Sequence, residues 1–110
     1  MDENILFEES SGNIYVDLGI KDADEMLRKA KLVANIQDTI KKRGWTQQEA
    51  AKILGMTQPK LSLMLRGQFH GISEAKILDC LARLGNDIQI VVTPRSGAHS
   101  QPGGIQVVFA

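Results

Sequence analysis

Two short helices joined by a tight turn are predicted over residues 45–67, and this stretch constrains the fold of the chain more than any other. Thr46 is a good N-cap residue with Glu49 three positions later, so the pair predicts a capping box at the start of the first helix. Gly55 supplies the positive φ that a sharp turn between helices commonly requires, and Thr57 then caps the second helix. Together these residues indicate a helix-turn-helix.

The second of these helices carries a row of side chains that suits DNA. Leu61, Met64 and Leu65 fall at helical spacing, so they are expected to pack against the first helix and turn the other positions outward. Glutamine can pair with adenine through two hydrogen bonds, serine can donate or accept, and leucine can touch a thymine methyl group. The predicted base contacts are Gln58, Ser62 and Leu63. A plain helical hairpin is the competing interpretation, and the agreement of caps, turn and exposed row favours DNA.

Basic residues are concentrated around this motif, although the net charge of the whole chain is zero. Residues 41–66 carry six basic groups against Glu49 alone, whereas residues 1–25 carry eight acidic groups against Lys21. A solvated charged surface would explain any single lysine but not this segregation. Since DNA binding depends on neutralising phosphates, the basic residues near the motif are predicted phosphate contacts: Lys42, Arg43, Lys60 and Arg66.

The same stretch matches a known motif, T-Q-x-x-x-A-x-x-x-G-x-[ST]-Q-x-x-[LI]-S-x-x-x-x-G. The matching residues are Thr46, Gln47, Ala51, Gly55, Thr57, Gln58, Leu61, Ser62 and Gly67. On these residues the chain resembles the lambda-repressor-like (Xre) family of DNA-binding domains over about residues 22–84. The resemblance implies that Gln47 binds a backbone phosphate and that Gln58 binds a base edge. The run that ends in GMTQPKLS is also similar to the HigA-type antitoxins, which implies a basic toxin protein as a further partner.

The predicted architecture is mainly α, a compact bundle of four to five helices that contains the helix-turn-helix, with one or two short C-terminal β-strands. A length of 110 residues suits one domain of ordinary size. Three regions are predicted: an acidic arm over residues 1–21, the DNA-binding domain over 22–86, and a dimerisation element over 87–110. Within the arm, the run NIYVDLG is compatible with a short strand or with an extended arm laid on the helices.

Alternating apolar residues predict a strand over residues 87–93 and a second one near the C-terminus. An unpaired strand edge needs a partner. Pairing between two subunits would make a homodimer that reads a palindromic operator, whereas an intramolecular hairpin with residues 106–109 is the alternative. The side chains predicted to lie at the dimer contact are Ile88, Ile90 and Val92.

Composition disfavours several other classes of protein. The chain has no run of about 18 apolar residues and its first residues are acidic, so a cytoplasmic protein without membrane contact is predicted. The single cysteine excludes an internal disulfide, and two isolated histidines give no metal-ligand pattern. Because no nucleophile with a base, carboxylate pair or glycine-rich phosphate loop is present, neither an enzyme nor a cofactor is predicted.

The function predicted from the sequence is a sequence-specific DNA-binding repressor. The resemblance further implies that it is the antitoxin of a toxin-antitoxin pair and represses its own operon. The alternative is an interaction module that neutralises a partner protein without reading DNA. The salt dependence of DNA binding would separate the two, because only phosphate contacts give a steep slope.

Overall fold

The computed structural model describes Gly19, residues 22–94 and residues 102–110. This part of the chain contains four helices. The helices are α1 Ala23–Arg43, α2 Gln47–Leu54, α3 Gln58–Leu65 and α4 Glu74–Arg83. This confirms the mainly helical class and the helix-turn-helix, which is made by α2 and α3. Apart from Gly19, the predicted acidic arm over residues 1–21 lies outside the described residues.

The first helix begins after Asp22, but Asp22 does not cap it in the ordinary way. Its φ of 58° is left-handed, a conformation that aspartate tolerates better than most residues, and its side chain makes no capping hydrogen bond. The helix ends at Arg43, and the next residue, Gly44, is also left-handed and donates its amide to carbonyl groups of the last turn. Lysines and an arginine in the last turn favour this end because they face the negative end of the helix dipole.

The core lies where α1 crosses α3 and α4, and where α2 packs against the same two helices. Apolar residues recur at helical spacing along each helix, so one side of each faces this centre. Its fully buried side chains are Ile36, Leu54, Leu61, Met64, Ile77 and Cys80. Burying one such aliphatic side chain contributes about 1.5–3 kcal/mol.

Cys80 is a buried core residue. Its thiol points at the Leu54 carbonyl oxygen, 3.8 Å from Sγ. Burial raises the pKa of the Cys80 thiol, which keeps it uncharged at neutral pH. The residue therefore behaves as a small hydrophobic side chain between α4 and α2.

The predicted C-terminal strands are not formed within the described part of this single chain. Residues 87–94 and 102–110 carry no strand, and the large apolar side chains of Ile90, Val91 and Val92 are exposed. Val107 is half-buried and packs against the helical core. The described residues therefore do not form the intramolecular hairpin, while pairing between subunits stays a prediction.

Candidate nucleic-acid interface

A capping box fixes the start of α2, as the sequence predicted. The Thr46 hydroxyl accepts a hydrogen bond from the Glu49 amide, and the Glu49 carboxylate accepts one from the Thr46 amide, both at 3.1 Å. Because its carboxylate accepts the Thr46 amide, the pKa of Glu49 lies below its ordinary value. This part of the cap is complete at neutral pH and weakens as the pH falls through the lowered pKa. Gln47 follows the cap as the first residue of α2, and its side chain is exposed.

The turn between α2 and α3 is held from outside by α4. Gly55 has a φ of 69°, as expected for a left-handed C-cap. The Lys76 ammonium donates to the carbonyl oxygens of Leu54 and Gly55 at 3.4 and 3.2 Å. The Arg83 guanidinium lies against the Gly55 Cα, so that an added Cβ would come within 2.8 Å of Nη1. Asp79 accepts from Arg83 at 3.0 Å and joins these two cations on α4.

We expect Gly55→Ala to lower the free energy of unfolding by about 1–2 kcal/mol, because alanine rarely adopts a left-handed backbone. The Arg83 side chain is about half exposed and can move away, so the backbone supplies most of this cost. Gly71→Ala is the matched control, since Gly71 has open space around it and no positive φ. Its effect should stay within about 0.5 kcal/mol. Urea unfolding measures both variants, and equal losses would contradict the special role of the turn.

The exposed side of α3 carries the predicted base contacts. Thr57 caps the helix by accepting the Lys60 amide at 3.3 Å. Leu61 and Met64 are fully buried, whereas Gln58 is exposed, Ser62 is half-buried and Leu63 is 39% exposed. At 3.6 residues per turn, Gln58 and Ser62 lie in one row with Arg66, and Leu63 lies beside that row. We call these four residues the α3 row.

Two further details of α3 refine the sequence interpretation. Pro59 lies in the first turn of α3 and is exposed next to the α3 row. Lys60 is exposed but lies roughly a third of a turn away from the middle of the row. That placement suits a contact at the edge of a groove, where phosphates lie, better than one with a base.

The two basic residues at the end of α1 differ in how far the fold already uses them. Lys42 pairs with Asp38 at 3.0 Å, and both side chains are largely exposed, so the pair is worth at most about 1 kcal/mol and can reorient. Arg43 donates to the Leu84 carbonyl oxygen at 2.8 Å, and its guanidinium lies 5.1 Å from the centre of the Trp45 ring. Arg43 thus joins the ends of α1 and α4, a role that its position in the sequence did not indicate.

The described residues provide neither a metal-binding cluster nor a membrane span. Residues 22–94 and 102–110 hold no group of three or more histidine, cysteine or acidic side chains that could bind a metal ion. None of the described helices is both long and apolar enough to cross a membrane.

Comparisons with known proteins agree with this geometry. A family model described as a helix-turn-helix domain matches residues 14–93. A solved structure that carries the name of an XRE family transcriptional regulator is 30% identical to this chain, with a TM-score of 0.71. The match covers 81% of this chain and 99% of that one. A comparison with curated proteins finds no significant match.

Proposed function

The chain belongs to the XRE family of helix-turn-helix transcriptional regulators, and from that premise we propose that it is a sequence-specific repressor whose α3 reads an operator. The observation that carries the proposal is the α3 row. One side of α3 is fully buried at Leu61 and Met64, while the opposite side presents polar groups and an arginine to solvent.

The chemistry of the α3 row divides into two kinds of contact. Gln58 and Ser62 offer donors and acceptors of the kind that distinguish base edges in the major groove. Leu63 is an exposed large apolar residue that the core does not need, and it suits a thymine methyl group. Arg66 within the row, and Lys60, Lys42 and Gln47 outside it, have exposed side chains that offer donors to phosphates, which position a protein without specifying a sequence.

The test is the salt dependence of binding to two duplexes, an operator selected from a random library and a duplex of random sequence. For a repressor, the logarithm of the binding constant for either duplex should fall steeply with the logarithm of the salt concentration. The slope should be about −0.9 for each phosphate neutralised. Lys60→Ala should weaken both complexes alike and reduce the slope by about one, because a phosphate contact carries no sequence information. Lys31→Ala on α1 loses the same charge from an exposed position outside the motif and should change neither slope.

A wild-type chain with no measurable slope would remove the repressor proposal. That result would favour the interaction module, which neutralises a partner protein without DNA. A slope that Lys60→Ala leaves unchanged would instead remove Lys60 from the set of phosphate contacts.

The proposed repressor acts as a homodimer. A single recognition helix reads only a few base pairs, so helix-turn-helix proteins commonly bind two half-sites about 34–36 Å apart. The residues 87–94 and 102–110 supply the surface for pairing, because they form no helix and expose most of their large apolar side chains. Ile88, Ile90 and Val92 alternate along the first of these segments and would lie at the contact.

We propose more specifically that the repressor is an antitoxin, because its sequence resembles the HigA-type antitoxins. The partner would be a basic toxin protein, for which the eight acidic groups in residues 1–25 offer complementary charge. A small basic protein encoded beside this chain should then form a stable complex with it on co-expression. Absence of such a neighbour, or of such a complex, would leave a repressor without a toxin.

A further inference from the structure

Lys29 is the one charged residue that is buried in the described part of the chain. Only 5% of its surface is exposed, and its side chain lies on the side of α1 that faces the loop after α3. An ammonium group taken out of water destabilises the fold unless it is paired and hydrogen-bonded. Lys29 has both kinds of partner: Nζ lies 3.2 Å from a Glu25 carboxylate oxygen and 3.4 Å from the Phe69 carbonyl oxygen.

The loop that Lys29 reaches is built around Phe69. The Phe69 side chain is buried, and its carbonyl oxygen also accepts the Ile72 amide at 3.0 Å. Gln68 and His70, on either side of it, are exposed. The buried phenylalanine and the two bonds to its carbonyl group therefore fix which side of the loop faces the solvent.

Both ends of this loop are fixed as well. At the start, the Gln68 amide donates to the Leu63 carbonyl oxygen at 3.0 Å, which sets the direction in which the chain leaves α3. At the end, Arg28 donates to both carboxylate oxygens of Glu74, the first residue of α4, at 3.1 and 2.6 Å. Arg28 and Lys29 are neighbours on α1, so this one helix holds the loop at its middle and at its end.

We propose that Lys29 is a positioning residue for DNA binding, which holds the loop over residues 67–71 so that Gln68 and His70 extend the α3 row onto the DNA backbone. The inference rests on the proposed reading of DNA by α3. Lys29 itself is too deeply buried to reach a phosphate, so it acts only through the loop.

Packing alone does not account for a lysine at this position. Removing one partner of an ion pair is costly when the other charge stays buried, but the Glu25 side chain is 45% exposed and water can solvate it, so the core would accept methionine at position 29. What methionine cannot supply is a donor for the Phe69 carbonyl oxygen. The hydrogen bond between Lys29 and the loop is therefore the feature that separates the two residues.

Lys29→Met tests the proposal, with Lys31→Met as a matched control that loses the same charge from an exposed site on the same helix. The Ile72 amide, which donates to Phe69, should exchange its hydrogen at least about tenfold faster in Lys29→Met, while amides within α1 keep their wild-type rates. Affinity for a random-sequence duplex should fall about tenfold in Lys29→Met, while the slope of its salt dependence stays close to that of the wild type, because the loop over residues 67–71 carries no lysine or arginine and contacts phosphates through hydrogen bonds.

The affinity of the folded protein separates positioning from stability. A residue that only stabilises the fold would change the unfolding transition and leave the affinity of the folded protein for the duplex unchanged. Wild-type affinity in Lys29→Met would overturn the proposal, and so would an equal loss of affinity in Lys31→Met, since charge alone would then explain it.

A second variant keeps the test decisive if Lys29→Met does not fold. Gln68→Ala combined with His70→Ala removes two exposed side chains, so the fold should persist and affinity for the random-sequence duplex should fall. An unchanged affinity in this double variant, while Gln58→Ala still weakens operator binding, would overturn the role of the loop alone. A wild-type chain that binds neither duplex would instead overturn the proposed function.

Discussion

Replacing Ile90 by proline is expected to lower operator affinity by on the order of 10²–10⁴-fold while the four helices stay folded. Proline removes the backbone amide that a strand shared between subunits would use, so the dimer and its second half-site should be lost together. The helical domain should survive, because Ile90 is 83% exposed and lies in no strand of the single chain. Sedimentation, far-UV circular dichroism and operator binding report the three parts of this expectation.

Ile90→Ala is the matched control for the proline variant. It keeps the amide and shortens the side chain, so a shared sheet should weaken without disappearing, and operator affinity should lie between those of the wild type and Ile90→Pro. If Ile90→Pro and Ile90→Ala lose the same operator affinity, the dimer contact at this position depends on the side chain of Ile90 and not on its backbone amide. A wild-type chain that sediments as a monomer at micromolar concentration would remove the dimer altogether, whatever the variants do.

Gln58→Ala is expected to weaken operator binding by about 1–3 kcal/mol and to leave binding to a random-sequence duplex nearly unchanged. A glutamine bound to adenine through two hydrogen bonds contributes only where that adenine is present. Gln58 is exposed at the start of α3, where Thr57 supplies the cap, so its truncation should not affect folding. Titration of both duplexes at one salt concentration gives the comparison.

Lys60→Ala serves as the contrast to Gln58→Ala, because removing a phosphate-binding group weakens both complexes alike. If Gln58→Ala weakens binding to the operator and to the random duplex equally, Gln58 contacts the DNA backbone and not a base. If Gln58→Ala leaves the operator affinity unaltered, the base contacts must come from Ser62, Leu63 or the exposed Pro59 beside them.

The parts of the fold that could be predicted from the sequence are those fixed by neighbours within one helical turn. The Thr46 and Glu49 capping box, the Thr57 cap and the left-handed Gly55 depend on residues at most a few positions apart, and the structure confirms all of them. Ile72 and Ile77 flank the start of the last helix at the spacing of a hydrophobic staple, and both are buried. Asp22 shows the limit of such reasoning, since the helix begins there without the side-chain cap that aspartate often makes.

The interactions that local patterns could not reveal join residues far apart in the chain. The carbonyl partners of Lys76 and Arg43 are 21 to 41 positions away, and the partner of Lys29 in the loop is 40 positions away. A lysine within a helix gives no signal that it will be buried, because the outcome depends on which loop crosses it. The predicted strands are absent from residues 87–94 and 102–110 for a related reason: alternation predicts which sides are apolar, but a strand exists only with a partner.

The hydrogen bonds from α4 to the turn between α2 and α3 limit how the helix-turn-helix can be transferred to another protein. Lys76 binds the last carbonyl groups of α2, so the angle between α2 and α3 depends on a helix that lies outside the helix-turn-helix. A peptide of residues 45–67 would lack these hydrogen bonds and would also expose Leu61 and Met64, and its helices are too short to persist alone in water. The smallest portion that we expect to work as a DNA reader on another scaffold therefore extends from α1 to α4, since these four helices share one core.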